Sequence, residues 1–161
     1  MLRRQLFAFL GLGALGDAAL AMSDGNDVRP ITALRLSDAQ WQKRLTPLQY
    51  RVLRKEGTEA SHTSPLNHEK RPGIYHCAGC ALPLFGSDSK YDSGTGWPSF
   101  FAALPGAVAT KTDYTLIFPR TEYHCVRCEG HQGHVFGDGP KPTGKRYCNN
   151  GIALNFVPLP A

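Results

Sequence analysis

Five cysteines are the residues of this 161-residue chain with the clearest chemical potential. Four of them form two CxxC pairs, Cys77-Ala-Gly-Cys80 and Cys125-Val-Arg-Cys128. Each short loop presents two thiolates to one ion, so the two pairs together predict a tetrahedral Zn²⁺ site that joins two distant parts of one sheet. Four ligands leave no open coordination position, so the predicted Zn²⁺ is structural and contributes folding free energy.

Three other uses of the CxxC pairs stay open at this point. Two disulfides are compatible with an oxidising compartment, and four thiolates also accept iron. A thioredoxin-like redox motif is disfavoured, because that motif opens a helix in a βαβ unit and the sequence shows no such unit. Two pairs, each after a strand-like run, favour the zinc site over these alternatives.

The fifth cysteine, Cys148, has no CxxC partner. A free thiol is often an inert buried residue, but the neighbouring Arg146 favours the nucleophilic thiolate. His131 and His134 follow the second CxxC pair and could protonate an oxygen leaving group near Cys148, although a surface position suits each of them equally well. Residues i and i+3 of a regular strand face opposite sides, so we expect a turn at Gly133 to bring both rings together.

An aromatic residue on a glycine-rich turn is the first candidate for recognising an apolar group. Trp97 lies between Gly96 and Pro98 and could present its indole face as one wall of a small pocket. Phe156 is a weaker candidate for a second wall, and an ordinary core position suits it better.

The elements that must position these residues are predicted to be short. Seventeen glycines and twelve prolines interrupt the chain too often for long helices. Four β-type runs lie between turn residues, at 74–77, 115–118, 122–125 and 152–157. The body is therefore predicted to be mostly β and antiparallel.

Two short helices are predicted before the strands. Ser37 and Gln40 form a capping box for a helix that runs through Trp41 to Leu45. A second helix has Thr46 as N-cap, Pro47 at its first position and Gln49 at its third. It is predicted to carry Leu48, Val52 and Leu53 on one face and to end at Gly57.

Residues 1–21 are predicted to be a signal peptide, and 22–35 a loose arm. Arg3 and Arg4 begin the signal, an apolar run follows over 6–15, and Ala19-Leu20-Ala21 supplies a cleavage pattern. The paired arginines resemble a bacterial twin-arginine signal, so we expect a periplasmic or secreted protein. The run is too short to span a bilayer, which argues against stable membrane insertion. An uncleaved interfacial helix and export of the unfolded chain are the alternatives.

Composition excludes two further classes of protein. The formal net charge of +5 is modest and no lysine–arginine stripe is present, so we expect no nucleic-acid partner. No run of 18 apolar residues follows the N-terminal segment, which excludes a spanning membrane protein. No oligomerisation signal is evident, and a monomer is expected.

These motifs, taken in order, resemble the methionine-R-sulfoxide reductases of the B type from about residue 36 to residue 156. The segments that carry the resemblance are LTPLQYRVLRKEGTE at 45–59, CAGC at 77–80, GTGWPSF at 94–100, CVRC at 125–128, HQGHVFGDGP at 131–140 and RYCNN at 146–150. The resemblance implies a reductase domain over 36–161. It also implies two twisted antiparallel sheets in a barrel-like body, with short N-terminal helices and a zinc knuckle site.

The resemblance also implies a role for each candidate residue. Cys148 would attack the sulfoxide sulfur of methionine-R-sulfoxide, free or in oxidised proteins, and become a sulfenic acid. His131, His134 and Asn150 match residues that bind and protonate the sulfoxide oxygen, and we favour His134 as the acid. Trp97 matches the residue that holds the S-methyl group, and Arg146 matches the basic residue that favours the thiolate. The residues that match the zinc ligands are Cys77, Cys80, Cys125 and Cys128.

One departure from the family pattern affects the expected cycle. Many members carry a resolving cysteine where this chain has Thr95. The other four cysteines are assigned to zinc, so we expect an external thiol, a thioredoxin-type protein or a small thiol, to regenerate Cys148. The stretch 149–155 also differs from the common family pattern.

Two rival functions share the same cysteines. A zinc-ribbon binding module is disfavoured by the modest charge, and by the export signal if its ligand were DNA. A Cys–His hydrolase that forms an acyl-enzyme would turn over without added thiol, so strict thiol dependence distinguishes it from a reductase.

Overall fold

Two antiparallel sheets and two short helices make up the part of the chain that this computed structural model describes, residues 30–115 and 117–160. The helices are α1 Asp38–Arg44 and α2 Pro47–Lys55. The strands are β1 Gly73–Cys77, β2 Pro83–Gly86, β3 Lys90–Tyr91, β4 Ser99–Phe100, β5 Val108–Asp113, β6 Arg120–Cys125, β7 His131–Phe136, β8 Arg146–Asn149 and β9 Leu154–Pro158. Short 3₁₀ turns lie at Pro65–His68, Ser87–Ser89 and Gly151–Ala153.

The strands form a three-stranded sheet of order β2-β1-β9 and a six-stranded sheet of order β3-β4-β8-β7-β6-β5. Every pairing in both is antiparallel. This confirms the predicted mostly β architecture. Within the described residues neither sheet closes on itself, so the expected barrel-like body is found as two open sheets.

Both helices begin at the predicted capping boxes. The side chains of Ser37 and Thr46 accept hydrogen bonds from the backbone N–H groups of Gln40 and Gln49, and each glutamine side chain bonds back to its N-cap. Of the helices in residues 30–115 and 117–160, none has the length and apolar character needed to cross a membrane.

The second helix departs from its prediction at its end and on its face. It ends at Lys55, and Glu56 rather than Gly57 takes the left-handed conformation, with φ of 52°. The N–H of Gly57 bonds to the Arg51 carbonyl at 3.0 Å, so the terminating turn falls one residue earlier than predicted. Leu48 is 40% exposed, whereas Val52 and Leu53 are buried as predicted.

Two of the four predicted strands need correction. The predicted strand at 115–118 is wrong, because its described residues lie in the connection between β5 and β6, where Ile117 is 94% exposed. The strand at the end of the chain begins at Leu154, after a 3₁₀ turn that covers Gly151–Ala153. Strand β5 was not predicted, because its half-exposed polar residues give little hydrophobic alternation.

The six-stranded sheet has one aromatic face and one polar face, since successive residues of a strand point to opposite sides. Tyr123 and Tyr147 point to the aromatic face, where their ring centroids lie 5.2 Å apart. Rings of Tyr75, Phe85 and Phe100 complete that core. Glu122 and Cys148, the neighbours of those tyrosines, point to the other face, and the strand register places His134 directly between them.

The predicted signal segment 1–21 lies outside the described residues, as do residues 22–29 of the predicted arm. The described part of the arm has no helix or strand. Leu34 within it donates its N–H to the Arg127 carbonyl at 2.6 Å.

Candidate active site and metal centre

Four cysteine sulfurs form a buried cluster at the ends of two strands. Cys77 ends β1 and Cys125 ends β6, and each CxxC turn then brings its second cysteine back toward the first. Because β1 and β6 belong to different sheets, the cluster joins the two sheets rather than two parts of one sheet as predicted. The Cys77 and Cys128 sulfurs lie 3.6 Å apart, those of Cys80 and Cys125 lie 3.5 Å apart, and all four lie within 4.8 Å of one another. Four sulfurs at 2.3 Å from a tetrahedral Zn²⁺ would be separated by about 3.8 Å, so the cluster fits that ion.

Arginines from the two helices and from the second turn hold the cluster from outside. Arg44 donates to the Gly79 carbonyl at 2.8 Å, and Arg54 donates to the Cys128 carbonyl at 2.8 Å. Arg127 reaches across to the Cys80 carbonyl at 3.2 Å. Because these charged donors satisfy the carbonyl oxygens of the two CxxC turns, the helices and the cluster stabilise each other's position.

Cys148 lies apart from the cluster, on the central strand β8, at a cavity of about 130 Å³. The lining residues are Thr58, Trp97, Arg120, Gly133, His134, Phe136, Cys148, Asn149 and Asn150. The structure therefore brings together four of the residues singled out from sequence: Cys148, His134, Trp97 and Asn150. Gly133 permits this geometry, since a Cβ there would lie 1.9 Å from the Cys148 carbonyl oxygen.

Burial raises the pKa of the Cys148 thiol, and hydrogen bonding from Thr95 and the charge of Arg146 lower it by less. The Thr95 hydroxyl lies 3.9 Å from the Cys148 sulfur. Arg146 binds Asp138 through two hydrogen bonds of 2.9 and 2.8 Å, and its guanidinium covers the Phe136 ring. Arg146 thus lowers the pKa of Cys148 and favours the thiolate, as expected. The charge of Asp138 opposes this effect, and burial raises the pKa by more than Arg146 lowers it.

A carboxylate and an arginine orient His134. The Nε2 atom of His134 lies 2.7 Å from Asp113 Oδ2, and Arg120 donates to the same oxygen at 2.7 Å. Burial lowers the pKa of His134, and its bond to Asp113 opposes this shift. Hydrogen bonds from Thr115, His134 and Arg120 hold the pKa of Asp113 well below its usual range. With Nε2 committed to Asp113, Nδ1 is the nitrogen left for a proton transfer.

A β-bulge brings His131 and His134 to the same side. Tyr123 pairs with Gly133, while His124 pairs with His131, so Gln132 is an extra residue in β7. The two histidine rings consequently lie 5.5 Å apart. The expected turn at Gly133 is thus replaced by a bulge one residue earlier.

His131 nevertheless does not line the Cys148 cavity. It is 2% exposed, and its Nδ1 lies 2.7 Å from the carboxylate of Glu122, which also holds His124 at 3.0 Å. Burial raises the pKa of Glu122, but the hydrogen bonds from His124 and His131 lower this pKa to about 2. His131 instead borders a neighbouring polar cavity that Lys111 also lines.

Glu59 is a site residue that the sequence did not reveal. It is 5% exposed, and its carboxylate accepts hydrogen bonds from the backbone N–H groups of Gly151 and Ile152, the latter at 3.0 Å. Its carbonyl accepts from Trp97 Nε1 at 3.1 Å, and its N–H donates to the Asn150 side chain at 2.9 Å. Glu59 thus fixes both residues, yet it stands in a polar loop with no spacing signal.

The predicted second apolar wall is a different phenylalanine. Phe156 packs on Tyr75 with ring centroids 4.8 Å apart and borders a separate groove beside Leu154. Phe136, which follows His134 by two residues on the same face of β7, lines the Cys148 cavity instead. The alternation of β7 could have identified it, had the strand been predicted.

Comparison with known proteins agrees with these motifs. Residues 45–158 match the SelR domain. A peptide methionine sulfoxide reductase MsrB of Agrobacterium fabrum is 52% identical over 124 residues, covering 76% of this chain and 92% of that protein. The peptide methionine sulfoxide reductase B1, chloroplastic, of Arabidopsis thaliana is 52% identical over 125 residues, covering 77% of this chain.

Coverage differs among the relatives. The matched part spans 62% of the Arabidopsis protein. The methionine-R-sulfoxide reductase B3, mitochondrial, of Mus musculus is 46% identical over 123 residues, which cover 76% of this chain and 49% of that protein. The family resemblance drawn from the motifs is confirmed, and the chain belongs to the SelR domain family.

Proposed function

We propose that this protein reduces methionine-R-sulfoxide, free or within oxidised proteins, to methionine and thereby repairs oxidised proteins. The observation that carries the proposal is the shared cavity of Cys148, His134 and Trp97. A nucleophile, an acid and an apolar wall are the three groups that sulfoxide reduction requires. The names of the relatives, which include peptide methionine sulfoxide reductases and a methionine-R-sulfoxide reductase, support it.

In the first step the Cys148 sulfur attacks the sulfoxide sulfur. The sulfoxide oxygen takes up a proton and is transferred to Cys148, so methionine leaves and a sulfenic acid forms. The substrate sulfur gains two electrons and the Cys148 sulfur loses two. The thiol proton and the oxygen both end on Cys148, with His134 relaying the proton through Nδ1.

Four further residues of the cavity lining shape the substrate site in this proposal. Trp97 and Phe136 form the apolar walls for the S-methyl group, since sulfur and methyl groups pack well on aromatic rings. Arg120 lines the cavity and forms an ion pair with Asp113. Its positive charge would stabilise the negative charge that develops on the sulfoxide oxygen. Asn150 bonds to the Gln132 carbonyl at 3.0 Å and to the Glu59 N–H, and positions the cavity wall.

Two equivalents of an external thiol then restore Cys148. The first condenses with the sulfenic acid to a mixed disulfide and releases water, and the second displaces Cys148 as a thiol. The hydroxyl of Thr95 lies 3.9 Å from the Cys148 sulfur, and the other four cysteines lie in the cluster. An external thiol, a thioredoxin-type protein or a small thiol, is therefore the reductant that this geometry favours.

We also propose one structural Zn²⁺ per chain, held by Cys77, Cys80, Cys125 and Cys128. Bound there, the ion would link the ends of β1 and β6 and contribute folding free energy. Its four ligands leave no coordination position for substrate, so Cys148 and its neighbours carry the reaction.

A chiral assay tests the proposed function. Residues 22–161 are incubated with a racemic, N-acetylated methionine sulfoxide and dithiothreitol, and both epimers are followed by chiral chromatography. We expect loss of the R epimer alone and no turnover without thiol. Persistence of both epimers with Cys148 reduced would refute the reductase. In a separate assay, turnover of an ester substrate without thiol would support the Cys–His hydrolase.

Export by a twin-arginine-like route, with cleavage near Ala21, is the localisation we propose. It is supported by Arg3-Arg4, the apolar run and the Ala19-Leu20-Ala21 pattern. Fractionation of cells that express the full chain and the Arg3→Lys/Arg4→Lys variant tests it. Retention of both forms in the cytosol would contradict it.

A further inference from the structure

We infer that Gln132 is a positioning residue that couples the cysteine cluster to the strand that bears Cys148. The inference rests on the proposed function only for its activity readout. Gln132 is the extra residue of the β7 bulge, and it is fully buried. A bulge turns one side chain out of the regular alternation, and here the misaligned side chain is an amide that points into the core between two sites.

The amide of Gln132 has partners on both sides. Its Nε2 lies 3.4 Å from the sulfur of Cys77, and its Oε1 accepts from the Asn149 side chain at 3.5 Å. Asn149 is also fully buried, and its own Oδ1 accepts a 2.6 Å hydrogen bond from Tyr123. A continuous buried chain therefore runs from a cluster sulfur to the residue that follows Cys148.

The backbone of Gln132 reinforces the same connection. Its carbonyl accepts from the backbone N–H of Asn150 at 2.8 Å and from the Asn150 side chain at 3.0 Å. Gln132 thus fixes the two residues after Cys148 through one carbonyl and one amide. Because Asn150 lines the cavity, a shift of Gln132 moves a wall of the site as well as the nucleophile's strand.

The state of the Cys77 sulfur determines how firmly Gln132 is held. A metal-bound thiolate accepts an N–H hydrogen bond more strongly than a neutral thiol, because the acceptor carries charge. Outer hydrogen bonds of this kind also stabilise the bound metal. The coupling is therefore reciprocal: the metal orders Gln132, and Gln132 retains the metal.

The test replaces Gln132 with leucine, which has similar bulk but makes none of the amide's hydrogen bonds to Cys77, to Asn149 and to the Gly130 carbonyl at 3.4 Å. For Gln132→Leu we expect zinc release to a chromogenic chelator to be about 10- to 100-fold faster. We also expect at least a severalfold change in the rate at which iodoacetamide alkylates Cys148, and a kcat about tenfold lower. Zinc release and alkylation need no substrate, so they report on Gln132 even if the wild-type protein reduces neither epimer.

Two control variants separate coupling from general damage. Gln42→Leu makes the same substitution on α1, where the side chain bonds Tyr50 at an exposed position, and should match the wild type in all readouts. Leu84→Ala removes a fully buried side chain from the three-stranded sheet. It should lower the Tm without the change in alkylation rate. Should Gln132→Leu not fold, Gln132→Asn, whose shorter amide cannot reach both partners, is measured in the same way.

Unchanged zinc release and Cys148 alkylation in a folded Gln132 variant would overturn the inference. So would a wild-type protein that retains no zinc, or a Leu84→Ala variant that reproduces the Gln132→Leu alkylation rate at an equal loss of Tm.

Discussion

The five cysteines occupy two regions that make opposite use of the same side chain. The four cluster cysteines stand on turns at strand ends, are nearly inaccessible, and face one another's sulfurs within 4.8 Å. Cys148 stands inside a strand, at a cavity, with the Thr95 hydroxyl 3.9 Å from its sulfur. Surroundings rather than residue type therefore separate the proposed structural thiols from the proposed nucleophile.

The two regions also differ in how charge is supplied. Cations around the cluster bind carbonyl oxygens, which leaves the four sulfurs available for the proposed Zn²⁺. Around Cys148 the charges form two separate pairs, Arg146 with Asp138 and Asp113 with Arg120. The first arrangement stabilises a fixed assembly, whereas the second holds ionisable groups beside the proposed nucleophile.

Replacing the thiol of the cavity should have the largest effect on activity. For Cys148→Ser we expect reductase activity to fall by about 10⁴-fold, because serine's hydroxyl cannot form the sulfenic acid. Zinc content and Tm should match the wild type, since no cluster contact changes. Activity assays with metal analysis check this, and retained reductase activity would remove Cys148 as the nucleophile.

Replacing a thiol of the cluster should act on stability first. Cys77→Ser should lose the metal and lower the Tm by more than about 10 °C, since bound metal contributes several kcal/mol of folding free energy. Metal analysis and calorimetry measure this, and Cys148→Ser serves as the matched cysteine-to-serine control. An unchanged melting temperature would count against a structural metal.

Removing the charge that orients His134 should have an intermediate effect. We expect Asp113→Asn to lower kcat/KM about tenfold and to leave the zinc content unchanged. The reactive form holds one proton between Cys148 and His134, so the lowered pKa of His134 sets the acid limb of the pH–rate profile. The bond to Asp113 raises that pKa, so the loss of the bond should lower it further and move the acid limb to lower pH. Glu56→Gln, which removes an exposed partner of Lys111, is the control. A profile identical to the wild type would argue against His134 as the acid.

Giving Cys148 a cysteine partner would make its region resemble the cluster. Because Thr95 adjoins the Cys148 sulfur, Thr95→Cys should form a disulfide with Cys148 after a single turnover in the absence of added thiol. Mass spectrometry of the oxidised variant detects the loss of two hydrogens, and Thr58→Cys, at another position of the cavity lining, is the comparison. Two free thiols persisting after oxidation of Thr95→Cys would contradict the proposed geometry.

Removing the positive charge of Arg146 beside Cys148 should have the smallest effect on activity. The reactive form holds one proton between Cys148 and His134, so activity should fall below the lowered pKa of His134 and above the raised pKa of Cys148. Arg146 lowers the pKa of Cys148, so Arg146→Met should move the alkaline limb to higher pH. The pH dependence of Cys148 alkylation measures this directly. A limb that moves to lower pH would show that Arg146 does not favour the thiolate.

Local sequence patterns predicted the parts of this structure that local interactions determine. Both capping boxes and each single CxxC turn are set by residues three positions apart. The meeting of the two CxxC turns is not local, because it joins cysteines 45 and 51 residues apart. The wrong strand at 115–118 shows the limit of such patterns, because an apolar run on a connection looks like a buried strand.

The candidate site was predictable in its members but not in its arrangement. Cys148, His134 and Trp97 stood out by residue type, yet their common cavity depends on the pairing of β8 with β4 and β7. Glu59 and Phe136 were missed, because one acts through backbone groups about 92 residues away and the other lies on a strand that was not predicted. The bulge at Gln132 likewise depends on register, which a single strand does not encode.

The strand order determines the sequence in which the cysteine cluster and the Cys148 cavity can form during synthesis of the chain. Strand β8 lies between β4 and β7, and β9 pairs with β1, so the last two strands in chain order complete both sheets. A chain synthesised only as far as residue 145 already contains all four cluster cysteines but lacks the nucleophile and the strand that joins β4 to β7. Capture of the proposed Zn²⁺ can therefore precede the assembly of the proposed active site, and these long-range pairings predict slow folding.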